Sequence, residues 1–239
     1  MTRRWIFAKV LVWIGCLAPL AWLLARLFGV QGATLGANPI EEILETCGKT
    51  GLNLLVFTLC ITPIRRSTGI NRLVTLRRLL GLFAFFYVVV HVLAYAWLDL
   101  GFAWDTLLDD VTERPYITVG FLALLMLIPL AVTSTSGWQR RLGRRWAKLH
   151  RLIYPIAILG VVHYWWQVKL DTSEPFLYAF ILAVLLGVRI QHSLELRRKR
   201  RGGSVNPKPP VATANQRVQP PEAGEKSPDE RDDECRARP

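Results

Sequence analysis
Four histidines, His91, His150, His163 and His192, are the residues of this chain best placed to do chemistry. Three fall within or at the edge of long apolar runs, where ionisable side chains are rare and usually functional. His91 lies 13 residues beyond Arg78, at the start of one apolar run, and His163 lies 13 residues beyond His150, at the start of another. At 1.5 Å per residue, each sits ~20 Å along its helix. The two imidazoles therefore share one depth on helices that run the same way. Two neutral imidazoles facing each other at one level suit axial ligation of a haem iron. Haem is flat and apolar except for its propionates, so it fills the centre of a helical bundle. A zinc site normally needs at least three protein ligands, and no Cys, Asp or Glu lies at matching depth to complete one. Four cysteines without a CxxC pair also argue against a dithiol or metal-thiolate centre.

His150 is a different case. On an ideal helix, 13 residues at ~100° each leave it roughly 140° away from His163. Pro155 is expected to kink this segment and change that azimuth. The inner counterpart on the helix of His91 is Arg78 or Arg77, and neither is a haem ligand. His150 therefore either ligates an inner haem with an atypical partner, His192 being one candidate, or touches a flavin or quinone. Arg77, Arg78, Arg144 and Arg145 flank it, and guanidinium groups hold propionates or phosphates bidentately; they also serve as inside anchors. Tyr164 and Trp166, beside His163, are candidates to line a cofactor.

Six segments are apolar and long enough to position these residues across a bilayer core of ~30 Å: 6–28, 46–64, 79–98, 116–133, 151–168 and 175–194. The second is the weakest. Its apolar stretch from Leu52 to Ile64 has to borrow an outer end from Thr46–Gly51, with Lys49 snorkelling. Pro115 suits the first turn of the fourth. No internal repeat is evident in the sequence. The expected fold is all-α: a polytopic membrane bundle of about six transmembrane helices over residues 1–201, followed by a disordered tail.

Charge fixes the orientation. Of the 30 basic residues in the 239-residue chain, most precede the first segment or follow the second, fourth and sixth. The opposite side holds only Arg26, Lys49, Arg114 and Lys169, together with most of the acids. The positive-inside rule places both termini in the cytoplasm. The net charge of +12 is thus topological and does not point to nucleic acid. Arg3-Arg4 imitates a twin-arginine export signal, but the apolar run behind it is too long for one. Residues 202–239 contain no Leu, Ile, Met, Phe, Trp or Tyr. They cannot bury enough surface to offset ordering entropy, so a disordered, dispensable cytoplasmic tail is expected.

A set of short stretches carries a family resemblance. They are Arg77-Arg78-Leu79-Leu80-Gly81-Leu82 leading to His91; Arg114-Pro115-Tyr116 with Gly120; and Thr133-Ser134-Thr135. Leu142-Gly143-Arg144-Arg145-Trp146-Ala147-Lys148-Leu149-His150 and His163-Tyr164 with Lys169 follow in order. Asn38-Pro39, Thr50-Gly51 and Ile61-Thr62-Pro63 also fit. Together, over about residues 1–198, they resemble the MsrQ (YedZ) family, within the ferric-reductase-like transmembrane superfamily. The resemblance implies a multi-pass subunit of a bacterial inner membrane carrying haem b and FMN, with His91, His150 and His163 at the haem sites. It implies electron delivery from the quinone pool or a cytoplasmic flavin reductase to an MsrP-type periplasmic molybdopterin enzyme, which reduces methionine sulfoxide in oxidised proteins. The chain would then be the electron-transfer subunit of an oxidoreductase complex and not its catalytic subunit. Two alternatives stand beside this. One is a transporter whose intramembrane histidines move protons or a metal; it should show intramembrane acids, and none lies deep in any segment. The other is a stand-alone ferric reductase, for which the tail is too short to hold a flavin and nicotinamide module.

Overall fold
The computed structural model describes residues 3–32, 34–168 and 172–202, with no strand among them. The stretch 203–239, and with it the expected disordered tail, lies outside the described residues. The helices are α1 (Arg3–Leu27), α2 (Pro39–Thr68), α3 (Val74–Ala94), α4 (Trp104–Glu113), α5 (Pro115–Val132), α6 (Ser136–Leu142), α7 (Arg144–Leu149), α8 (Ile153–Gln167) and α9 (Ser173–Gly202). Five of them are long and apolar enough to cross a membrane: α1, α2, α3 with its continuation to Asp99, α5 and α9. The sixth expected crossing, α8, has 15 residues and falls short alone. A 3₁₀ turn, His150–Leu152, runs directly into it. Together they reach about 28 Å, close to a bilayer core. Large apolar side chains such as Phe7, Leu11, Ile14, Phe176, Leu177 and Phe180 face outward. In water such a surface would aggregate; against lipid it is the expected one. This is a multi-pass membrane protein.

The second segment departs from its expected weakness. It forms a 30-residue helix, starting where Asn38 caps the Glu41 N–H and Pro39 takes the first helical position, and ending at Gly69 in the left-handed region. It is also the most enclosed helix, with half of its apolar window buried against about a tenth for α1, α5 and α9. Two of its polar residues reach other side chains. Lys49 pairs with Glu45 at 2.7 Å and with Glu174 of α9 at 2.5 Å. Asn53 accepts from the Tyr178 hydroxyl at 2.9 Å.

Pro155 does not kink a helix either. It sits in the first turn of α8, where the missing N–H costs little. The irregularity lies just before it, in the 3₁₀ turn. Each 3₁₀ residue advances about 120° instead of 100°, so three of them reduce the offset between His150 and His163 from roughly 140° to roughly 80°.

Four helices surround the centre. α2 packs chiefly on α3 and α5 on α8, while α3 also touches α5 and α2 touches α8. α3 and α8 therefore stand on one diagonal. The core between them includes Leu55, Leu59, Ala84, Tyr87, Leu127, Ile156 and Ala157. A buried tyrosine ties α1 to this core. The fully buried Tyr87 hydroxyl donates to the Cys16 carbonyl at 2.7 Å and accepts from the Leu20 N–H at 3.2 Å. Those two groups flank Pro19, the proline inside α1. Tyr87→Phe should therefore lower stability by about 1–3 kcal/mol, because it leaves buried backbone groups short of a partner. Chemical denaturation in detergent, followed by circular dichroism, measures this; an unchanged midpoint would remove the contact from the account.

Candidate functional site
His91 projects from α3 and His163 from α8, and the bundle brings their rings together across the diagonal. The ring centroids are 6.3 Å apart and the planes lie at 84°. Each imidazole is held from behind by a backbone carbonyl. His91 Nδ1 donates to the Leu44 carbonyl of α2 at 2.9 Å, and His163 Nδ1 donates to the Tyr116 carbonyl of α5 at 2.7 Å. A carbonyl only accepts, so Nδ1 carries the proton in both rings. The Nε2 lone pair is left free, and neither Nε2 has a hydrogen-bond partner among the described residues.

Two imidazoles this close, each with a free Nε2, are residues that would hold a flat metal-bearing group such as haem between them. A carbonyl behind each Nδ1 is the usual support of a metal-bound histidine, fixing the tautomer and raising basicity. Among the described residues no group of three or more His, Cys, Asp or Glu side chains is placed to hold a metal ion.

The two halves of the site repeat. Leu44, Gly48 and His91 each have a counterpart 72 residues later, Tyr116, Gly120 and His163, in the same roles. The α2–α3 pair and the α5–α8 pair are thus two versions of one helix hairpin. The sequence shows almost none of this, since the two lipid-facing surfaces share little beyond apolar character. The trace that remains is Thr46-Cys47-Gly48 beside Thr118-Val119-Gly120, at the same offset as the two histidines.

His150 stands apart from the pair. Its ring stacks on Trp146, with centroids 3.9 Å apart and planes at 28°, and its Nδ1 lies 3.2 Å from the Trp146 carbonyl. Trp146 is itself anchored, its indole N–H donating to the Thr133 carbonyl at 3.0 Å. Among the described residues His150 Nε2 is buried without a well-formed hydrogen bond, although the Leu130 carbonyl lies within the ring's reach. Of the four candidate arginines, Arg77 is half-buried and within Coulombic reach of His150, whereas Arg78, Arg144 and Arg145 are exposed. A fifth arginine, missed in the sequence, joins them: Arg189 of α9 lies 4.7 Å over the Tyr154 ring.

The Tyr164 hydroxyl donates to Glu174 at 2.6 Å, within the Lys49 cluster that ties α2, α8 and α9 together, and Trp166 is exposed. In α4, Asp110 is buried, accepting from the Tyr95 hydroxyl and pairing with Arg114 at 2.9 Å.

Residues 47–161 match the family model described as the ferric reductase like transmembrane component, a stretch that holds Gly48, His91, Gly120 and His150 and stops two residues before His163. A protein-methionine-sulfoxide reductase heme-binding subunit MsrQ from Xanthomonas campestris pv. campestris (strain 8004) is 51% identical over 211 residues, covering 87% of this chain and 95% of the relative. This chain belongs to the MsrQ family. An MsrQ from Xanthomonas oryzae pv. oryzae (strain MAFF 311018) is 49% identical over the same shares of both chains. The MsrQ of Rhodospirillum rubrum is 49% identical over 197 residues, 82% of this chain and 93% of its own. These MsrQ relatives carry a heme-binding role in their names.

Proposed function
We propose that this MsrQ-family chain is the electron-transfer subunit of a protein-methionine-sulfoxide reductase system, with haem b between His91 and His163. The observation that carries the reading is the pair of facing imidazoles, each with Nδ1 committed to a carbonyl and Nε2 free. When bound, haem supplies a one-electron carrier inside the membrane. The chain's own residues do the rest. Leu44 and Tyr116 fix both tautomers. Leu55, Leu127 and Ile156 are among the buried side chains that keep the bundle centre apolar. Arg77, with Arg78, Arg144 and Arg145 further out, supplies positive charge near His150 for a propionate or a flavin phosphate. Electrons come from the quinone pool or a cytoplasmic flavin reductase, with FMN at the inner face, and leave to an MsrP-type periplasmic molybdopterin reductase that repairs oxidised proteins. The asymmetry of basic residues supports an inner-membrane orientation with both termini cytoplasmic.

The test is anaerobic and direct. The purified protein, reduced to a stable visible spectrum, is mixed with the purified periplasmic reductase and methionine sulfoxide. Reoxidation that requires both additions is expected. A spectrum that stays reduced would refute the partnership. His150→Ala should leave the low-spin signal of the outer pair unchanged while slowing reduction from the inner side. Loss of all haem in that variant would contradict the separation of the two levels.

A further inference from the structure
An α-helix shields its own carbonyls. The Cβ of residue i+4 tilts toward the helix N-terminus and lies over the carbonyl of residue i. Both carbonyls that hold the histidines have a glycine at that position: Gly48 follows Leu44 by four residues, and Gly120 follows Tyr116 by four. A Cβ at Gly120 would lie 2.8 Å from His163 Nδ1 and 2.9 Å from Cε1, closer than such atoms can sit. A Cβ at Gly48 would lie 3.2 Å from His91 Nδ1 and 3.3 Å from Cε1, which asks the ring to give by a few tenths of an ångström. The contact falls in both cases on the ring atoms that face the carbonyl.

We propose that Gly48 and Gly120 are positioning residues for the axial pair: each opens a notch that admits an imidazole to the carbonyl one turn earlier and so aims its Nε2 at the bundle centre. The proposal rests on the reading of His91 and His163 as haem ligands and goes beyond it by assigning the groups that set ring position and plane. The asymmetry between 2.8 Å and 3.2 Å gives the two notches different tolerances. The His163 ring has no room to yield without leaving the Tyr116 carbonyl. The His91 ring yields a little and keeps its bond.

Five alanine variants of the full chain decide it. Gly120→Ala should lower haem content about tenfold, the usual order for removing support behind a metal-bound histidine. Gly48→Ala should retain haem but shift its low-spin electron paramagnetic resonance lines, which report the angle between imidazole planes, and its midpoint potential. Gly81→Ala, open on α3, should change nothing. Gly51→Ala tests helix spacing alone, because its Cβ would meet Val88 Cγ2 at 3.1 Å and no histidine; it should lower stability and leave the spectrum as it is. Wild-type haem content, lines and potential in Gly120→Ala would overturn the proposal. So would an equal spectral shift in Gly51→Ala, which would make the effect one of general packing. Should Gly120→Ala not accumulate, Gly48→Ala decides: unchanged lines and potential would overturn it. His163→Ala separates the two levels of the argument. If it keeps haem, the haem reading itself falls; if it loses haem while Gly120→Ala matches wild type, only the notch fails.

Discussion
Replacing His91 or His163 by alanine is expected to remove the haem held between them, in each variant alone and almost completely. The reason is geometric. The two rings approach from opposite corners of the bundle, with centroids 6.3 Å apart, so each variant removes one side of the pair. One remaining imidazole keeps its carbonyl support but holds only one side of the iron. The helices should still insert, because the cluster of Leu55, Leu59, Leu127 and Ile156 and the Lys49 ion pairs are untouched. The measurement is haem per protein after purification, with circular dichroism to confirm the fold. Wild-type haem content in either variant would break the pair.

The second large effect concerns the surface proposed to face the periplasm. Several of its acids are already neutralised within the chain: Glu42 by Arg26, Glu45 and Glu174 by Lys49, and Asp110 by Arg114. Asp110 does not belong to a docking surface, since its loss would strip a partner from Arg114 and from Tyr95. Asp105, Asp109 and Glu113 of α4 are exposed. Long-range attraction of a basic patch to such a surface speeds association and weakens as salt rises. Neutralising these three should slow electron transfer to the periplasmic partner about tenfold at low salt and flatten its salt dependence. Stopped-flow reoxidation at low and high ionic strength reads both. An unchanged rate and unchanged salt slope, with haem content intact, would place docking elsewhere.

Much of this was legible in the sequence because membrane helices obey few rules. Apolar length and the placement of arginines are enough to lay out the crossings, and equal spacing from an inner residue is enough to put His91 and His163 at one depth. What was not legible follows from the same simplicity. Pattern along one helix does not say which helix lies at the centre, so α2, with Lys49 and Asn53 in it, looked weak when it is the most enclosed. Pro155 looked like a kink because its helix start could not be seen; the 3₁₀ turn from His150 puts it in a first turn. The notches were hidden for a different reason. A glycine in an apolar helix signals close approach but not to what, and the carbonyl it uncovers has no side-chain signature. The 72-residue offset shared by Gly48, His91 and their counterparts becomes visible only once the hydrogen bonds are known.

The central claim is that this bundle carries b-type haem on two histidines. Pyridine haemochrome quantitation of the purified wild-type protein, combined with a redox titration of its visible spectrum, tests it most directly. The account predicts protohaem in stoichiometric amount and a low-spin spectrum that is reversibly reduced, with one component lost in His91→Ala and His163→Ala. A folded, helical protein purified without haem from haem-sufficient cells would contradict it.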